Sequence, residues 1–195
     1  MKLQYSYWLF PNAFGIDECN KILEIQNNWN KGTVGSTIDL KVRDSKVMWI
    51  SQLWIYHKVF HFMKAANQKA NWNFDIDWCE DCQLTKYTKN QYYHWHRDTN
   101  DNPYNNPKDK NFDGKIRKLS STLILSNPED FKGGEFEFCD NQNSPIKSSK
   151  NFLKVPPMNK GSFLCFPSHI WHRVKPIESG TRYSVVSWFL GKPFK

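Results

Sequence analysis

Apolar residues recur at helical spacing twice in the first third of the chain. In "FGIDECNKILEIQNNW" (14–29), Cys19, Ile22, Leu23 and Ile25 form a stripe, and Asp17 is placed to cap the helix start. In "LWIYHKVFHFMKAANQKAN" (53–71), Ile55, Val59, Met63 and Ala66 recur every three or four positions and predict a longer helix. The pattern then changes. "WCEDCQLTKYT", "QYYHWHRD", "KLSSTLILS", "GEFEFCD", "SFLCFPS", "HIWHRVKPI" and "TRYSVVSWFLG" are short strand candidates, several of them alternating. In "GEFEFCD", Phe136 and Phe138 share one face and Glu135 and Glu137 the other. Residues 99–118 hold two prolines, Gly114 and few apolar groups, which predicts a long surface loop able to serve as a binding element. "NPEDFKGG" reads as a turn-rich connection and 141–161 as irregular. Many short strands behind a helical front, with no βαβ alternation, predict a β-sandwich or barrel, jelly roll included, with helices on one side.

Length fits one domain with a substantial core, at 195 residues. Aromatics reach 16%, with nine Trp, which suits a sheet-rich core or a lined pocket. The net charge of +8 is spread along the chain with no run of five basic residues, so it reads as a solvated surface and makes nucleic acid an unlikely partner. Neither a secretory signal nor a membrane-spanning run is visible. Five cysteines, an odd number, predict mostly unpaired thiols in a reducing, cytoplasmic compartment. Cys79-x-x-Cys82 is the one cysteine motif; half a zinc site or a redox couple is the weaker reading, because no second pair follows at zinc-binding spacing.

"YYHWHRDTN" concentrates His94, His96 and Asp98 within five positions. A lone His-x-Asp triplet is weak evidence by itself. A mononuclear non-haem iron centre needs two imidazoles and a carboxylate on one side of the ion. His96 and Asp98 at i and i+2 on a strand point to one face. A distant strand must then supply the third donor, for which His172 is the candidate and His169 its neighbour and rival.

"HWHRD" followed by "FPSHIWHRVKPIESGTRYSVVSWF" resembles the iron(II)- and 2-oxoglutarate-dependent oxygenases, in particular their prolyl 4-hydroxylase-like branch. "KYTKNQYYHWHRD" and "RKLSSTLILSNPEDFKGGEFEF" resemble its strands too, so the likeness runs from about Leu84 to Leu190. It implies an α+β, mainly β fold: a double-stranded β-helix (jelly-roll) core with N-terminal supporting helices. Residues 1–195 would form a single oxygenase domain, 1–75 mostly helical support and 76–195 the core.

The resemblance makes His96, Asp98 and His172 the iron ligands and catalytic centre, and Arg182 the holder of the distal carboxylate of 2-oxoglutarate. A guanidinium suits that task by itself, since its planar fork matches a carboxylate. Tyr87, Ser184 and Trp188 fall on further cosubstrate-binding positions. Relatives with another tyrosine on the central strand differ here, where "STLILS" offers only Thr122. His94 and His169 have no ligand role in the pattern. The implied cofactors are Fe(II) and 2-oxoglutarate as cosubstrate, with ascorbate as an accessory. The implied reaction hydroxylates a C–H bond, first of all of a prolyl residue in a peptide or protein, with succinate and CO2 as co-products. A free amino acid or other small molecule, a nucleic acid, and a non-catalytic metal-binding module are the alternatives. The nucleic-acid reading is weakened because the tail after His172 lacks a second downstream arginine beyond Arg182.

Overall fold

The computed structural model describes residues 3–25, 27–35, 37–99, 101–139 and 152–194. In chain order the front holds β1 (Trp8–Phe10), α1 (Ile16–Glu24), β2 (Asn30–Lys31), β3 (Arg43–Asp44), β4 (Lys46–Ile50) and α2 (Leu53–Lys69). The remainder holds β5 (Trp78–Cys79), β6 (Cys82–Tyr87), β7 (Tyr92–His96), β8 (Ile116–Ile124), β9 (Phe131–Gly133), β10 (Phe136–Cys139), β11 (Phe152–Lys154), β12 (Phe163–Pro167), β13 (His172–Val174), β14 (Ile177–Gly180) and β15 (Arg182–Gly191).

α2 buries the predicted stripe of Ile55, Val59, Met63 and Ala66. α1 is shorter than predicted, ending at Glu24, and its cap is Gly15 rather than Asp17. The Glu18 carboxylate reaches back to accept the Gly15 N–H at 2.7 Å, which fixes the start two residues earlier. Asp17 falls inside the first turn, where the helix dipole favours a negative charge.

Among the described residues every strand pairing is antiparallel. Among the described residues the larger sheet runs β1-β12-β8-β15-β6-β4-β2, with β5 also on β15. The smaller runs β11-β10-β13-β7-β3, and β9 pairs with β14 as a separate ribbon. This is the mainly β, two-sheet jelly roll that the resemblance implies, carried by two helices.

Alternation along the large sheet separates its two faces. Leu119, Leu123, Phe163, Cys165, Val185 and Phe189 join Ile55, Val59 and Met63 in one apolar cluster, so this face is covered by the helices. Leu164 and Phe166 point the other way and pack with Phe136, Phe138, Val174 and Ile177 between the sheets. The site lies on this inner side.

Four short strands lie in the front that pattern reading left without strands, and two of them flank the site. β3 pairs with β7, and β4 pairs with β6. Their signal is weak because two to five residues of mixed polarity carry little period. β9 falls inside the stretch read as a turn, and β11 inside 141–161; residues 141–151 of that stretch lie outside the described residues. The loop read as 99–118 ends earlier, because β8 begins at Ile116. Among the described residues no helix is long and apolar enough to cross a membrane.

Candidate active site

β7 and β13 meet with His96 directly opposite His172. Asp98 lies two residues past the end of β7, so it is held not by strand pairing but by its N–H, which donates to the Ser168 carbonyl at 2.9 Å. Ser168 in turn bonds Ser120 of β8 through their hydroxyls at 2.8 Å, which ties the aspartate to the large sheet. The donor atoms of His96, Asp98 and His172 all lie within 4.8 Å of one another. Nε2 of His96 stands 3.5 Å from one carboxylate oxygen and Nε2 of His172 stands 3.6 Å from the other. These distances exceed a good hydrogen bond but suit atoms sharing one ion at about 2 Å.

Both imidazoles are aimed by their other nitrogen. Nδ1 of His96 lies 2.8 Å from the His94 carbonyl, and Nδ1 of His172 lies 2.9 Å from the Ile170 carbonyl. A carbonyl only accepts, so each Nδ1 carries a proton, and each Nε2, the atom left to ligate, faces Asp98. Burial, and then the neighbouring His96, push His172 down to about 4, which keeps it neutral and able to ligate near neutral pH. Burial would raise Asp98, but His172 and His96 outweigh it and hold the carboxyl well below its usual range. Aromatic rings fix the imidazoles from the sides. Phe136 stacks on His172 with 5.5 Å between centroids, and Tyr93 stacks on His96 at 3.4 Å.

A cavity of about 380 Å³ opens over this cluster and takes in the four predicted cosubstrate positions, Tyr87, Arg182, Ser184 and Trp188. Arg182, Ser184, Val186 and Trp188 occupy alternate positions of β15 and line it together. Arg182 is only 2% exposed, and its Nη1 donates to the Ser184 hydroxyl at 3.1 Å. Among the described residues, its Nη2 is buried without a partner, as is Nε1 of Trp188. Tyr87, opposite Arg182 in the β6–β15 register, has its ring 5.8 Å from the guanidinium. Thr122 also lines the cavity. An unsatisfied buried guanidinium facing a two-histidine, one-carboxylate cluster fits a metal ion with a dicarboxylate cosubstrate.

The remaining candidates lie elsewhere. His94 shares the period-2 phase of His96 yet is exposed, and its Nδ1 accepts the Trp95 N–H at 2.9 Å. The cause is a bulge. Val174 pairs with Tyr93 while His172 pairs with His96, so one extra residue on β7 turns His94 away. Tyr93 thereby comes onto the face of His96, where strict alternation would not have put it. His169 packs against Phe74 and Phe194. Cys79 and Cys82 are buried, unpaired thiols; Cys79 bonds the Glu80 carbonyl and Cys82 the Ser187 hydroxyl, each at 3.3 Å.

Pattern reading also missed Arg43, Gln83 and Arg117, which line the cavity. Arg117 is bound by both oxygens of Glu80 at 2.5 and 2.6 Å and lies 4.0 Å from the Trp188 ring centroid. Arg43 sits in no motif and Arg117 only opens the stretch "RKLSSTLILS" without a role of its own there; the pairing of their strands brings them to the site.

Known proteins resemble this chain to different extents. A PKHD-type hydroxylase of Synechococcus sp. (strain JA-2-3B'a(2-13)) is 39% identical over 72 residues, which are 36% of this chain and 27% of that protein. The chain thus matches about a quarter of the length of that curated relative. A putative prolyl 4-hydroxylase of Acanthamoeba polyphaga mimivirus is 28% identical over 189 residues, 96% of this chain and 75% of the other. Among solved structures, the viral collagen prolyl hydroxylase of Paramecium bursaria Chlorella virus-1, in complex with 2OG, superposes with a TM-score of 0.68. It is 20% identical, with 96% of this chain and 97% of that one covered. A Pseudomonas putida prolyl-4-hydroxylase superposes with a TM-score of 0.65 at 19% identity, with 95% and 93% covered. The stretch from Cys82 to Leu190, which holds the two histidines, the aspartate and Arg182, matches the sequence profile of the 2OG-Fe(II) oxygenase superfamily, and the chain belongs to that family.

Proposed function

We propose that this protein is an iron(II)- and 2-oxoglutarate-dependent dioxygenase that hydroxylates a C–H bond of a prolyl residue in a peptide or protein. One observation carries the reading: His96, Asp98 and His172 converge at one end of a cavity that also holds the unpaired, buried Nη2 of Arg182. When bound, iron(II) with 2-oxoglutarate supplies the oxidising chemistry, in which O2 and the keto acid yield CO2 and succinate as one oxygen atom enters the substrate C–H bond.

The chain's own groups hold and orient. His96, Asp98 and His172 would hold the ion through two neutral imidazoles and one carboxylate, leaving its remaining positions open. Arg182 would grip the distal carboxylate of 2-oxoglutarate with two parallel N–H groups, with Ser184 and Tyr87 beside it. Trp188 offers a second unpaired donor on the same strand. Phe136 and Phe166 line the cavity and would limit water around the reacting atoms. We read residues 1–195 as one catalytic domain, because β1 to β4 of the front are woven into both sheets of the core.

The prolyl assignment draws on the mimivirus relative, which matches along nearly the whole chain. A peptide substrate is supported by a Trichoplax adhaerens prolyl hydroxylase solved with a hypoxia inducible factor peptide fragment, whose fold matches with a TM-score of 0.63. The five unpaired thiols favour a reducing, cytoplasmic setting. The test has two stages. Anaerobic protein loaded with iron(II) should develop a weak visible charge-transfer band on adding 2-oxoglutarate; well-folded, iron-loaded protein without the band would refute the cosubstrate assignment. Succinate release, with ascorbate present as reductant, is then measured with proline-containing peptides, free proline and methylated DNA. Stimulation by methylated DNA alone would refute the prolyl assignment.

A further inference from the structure

Among the described residues, four arginines line the cavity, Arg43, Arg97, Arg117 and Arg182, against a single carboxylate, Asp98. Three of the four are accounted for. Arg117 is neutralised by Glu80, Arg97 is paired with Asp101 at 2.8 Å, and Arg182 faces the cosubstrate position. Arg43 is not. It is only 6% exposed, and among the described residues no carboxylate pairs with it. A buried cation without a counter-charge is costly to the folded protein.

The socket around Arg43 is built, not incidental. Its Nε donates to the Ser45 hydroxyl at 2.8 Å, Nη1 to the Thr33 carbonyl at 3.2 Å and Nη2 to the Gln83 amide oxygen at 2.8 Å. Each terminal nitrogen keeps one further N–H. Gly32 presses on the other side, where any Cβ would overlap the Ser45 hydroxyl and the Arg43 Nε. The guanidinium lies 4.6 Å from the Tyr93 ring centroid, and the opposite face of that ring carries His96. One aromatic ring therefore separates this uncompensated charge from the metal-binding cluster.

We propose that Arg43 is a substrate-binding residue for a carboxylate placed a residue or two along the chain from the hydroxylated position. The substrate class is thereby narrowed to acidic peptides, or peptides ending close to the modified residue. The inference rests on the proposed function for the peptide, but not for the carboxylate. It also gives the positive cavity a use that does not involve nucleic acid: a single fixed fork suits one carboxylate better than a run of phosphates.

The test is binding rather than turnover. Protein loaded with iron(II) and 2-oxoglutarate under anaerobic conditions is titrated with four short peptides, followed by calorimetry and by perturbation of the visible band. They are N-acetyl-Pro-Glu-amide, N-acetyl-Pro-Gln-amide, N-acetyl-Pro-Gln with a free C-terminus, and N-acetyl-Ala-Glu-amide. At least one acidic prolyl peptide should bind about tenfold more tightly than the neutral one, as a charge-assisted pair at a buried guanidinium would give. Which acidic peptide gains tells a side-chain carboxylate from a terminal one. Arg43→Met should erase the difference, and Arg43→Glu should favour N-acetyl-Pro-Lys-amide instead. Equal binding of acidic and neutral peptides, or a preference that survives Arg43→Met, overturns the inference. Should Arg43→Met lose the band, Arg43→Lys decides, since it must keep both the band and the acidic preference. If N-acetyl-Ala-Glu-amide binds as tightly as its prolyl counterpart through Arg43, the carboxylate site stands and the prolyl reading falls. Prolyl peptides that bind without regard to charge give the reverse.

Discussion

The ring of Tyr93 lies flat against the imidazole of His96, with 3.4 Å between centroids and 9° between planes. The contact exists because β7 carries an extra residue relative to β13, which brings two side chains three positions apart onto one face. His96 is thus held from two directions, by the His94 carbonyl on Nδ1 and by Tyr93 across its plane. Groups that orient a ligating histidine are worth roughly 10–100-fold in metal affinity.

Replacing Tyr93 by Leu should therefore weaken iron(II) binding by about 10–100-fold. Tyr93→Phe keeps the stacked ring and should stay within a few-fold of the parent, on the order of 1 kcal/mol or less. Competition with a chelator of known affinity measures both. Equal losses in the two variants would shift the role from the ring to the hydroxyl.

Asp98→Asn keeps the shape of the side chain but removes the charge that Nε2 of His96 and of His172 flank. Iron(II) affinity should fall by more than the roughly 100-fold upper range of an outer contact, and 2-oxoglutarate decarboxylation should stop with it. Retained decarboxylation at saturating iron would remove Asp98 from the ligand set.

Arg182→Met separates binding from folding. Loss of a charge-assisted fork costs about 1.5–3 kcal/mol, so the KM for 2-oxoglutarate should rise by about 10–150-fold. The melting temperature of the cosubstrate-free protein should not fall, because the variant removes a buried guanidinium whose Nη2 has no partner. A KM unchanged by the substitution would contradict the anchoring role.

Acid should destabilise the metal-free protein through His172. Burial, and then His96, lower this group from 6.5 to about 4 in the folded state. Between those values the unfolded chain binds the additional proton, so the contribution is complete above pH 6.5 and is lost as pH falls towards 4. The loss is on the order of 3 kcal/mol. Asp98, also lowered in the folded state, continues the trend in the same direction below its usual 3.8. Urea unfolding of metal-free protein from pH 7 to pH 4 reads this slope, and His172→Asn should flatten it. A profile that is already flat in the parent would exclude a buried neutral His172.

Local pattern alone determined much of this protein. The 3.6-residue stripe of Ile55, Val59, Met63 and Ala66 marked α2, because one buried helix face leaves that period in the chain. Apolar, β-rich runs marked β8, β12 and β15 and clean alternation marked β10, and on β15 Arg182, Ser184 and Trp188 share one face because the strand is regular from Arg182 to Trp188. The resemblance of "HWHRD" and "HRVKPIESGTRYSVVSW" then pointed to the family. Alternation failed on β7, where His94 and Tyr93 exchange faces at a bulge that depends on how β13 pairs with it. It also gave a mistaken reason for Asp98, which lies beyond the strand and is placed by the Ser168 carbonyl. Arg43 and Arg117 stand far along the chain from the histidines and have no period to betray them. Pairing of β3 with β7 brings the one into the cavity, and the Glu80 ion pair with the Trp188 face holds the other there. Local period records which face of an element is buried, whereas the charge lining a cavity depends on which strands become neighbours, and only the tertiary structure decides that.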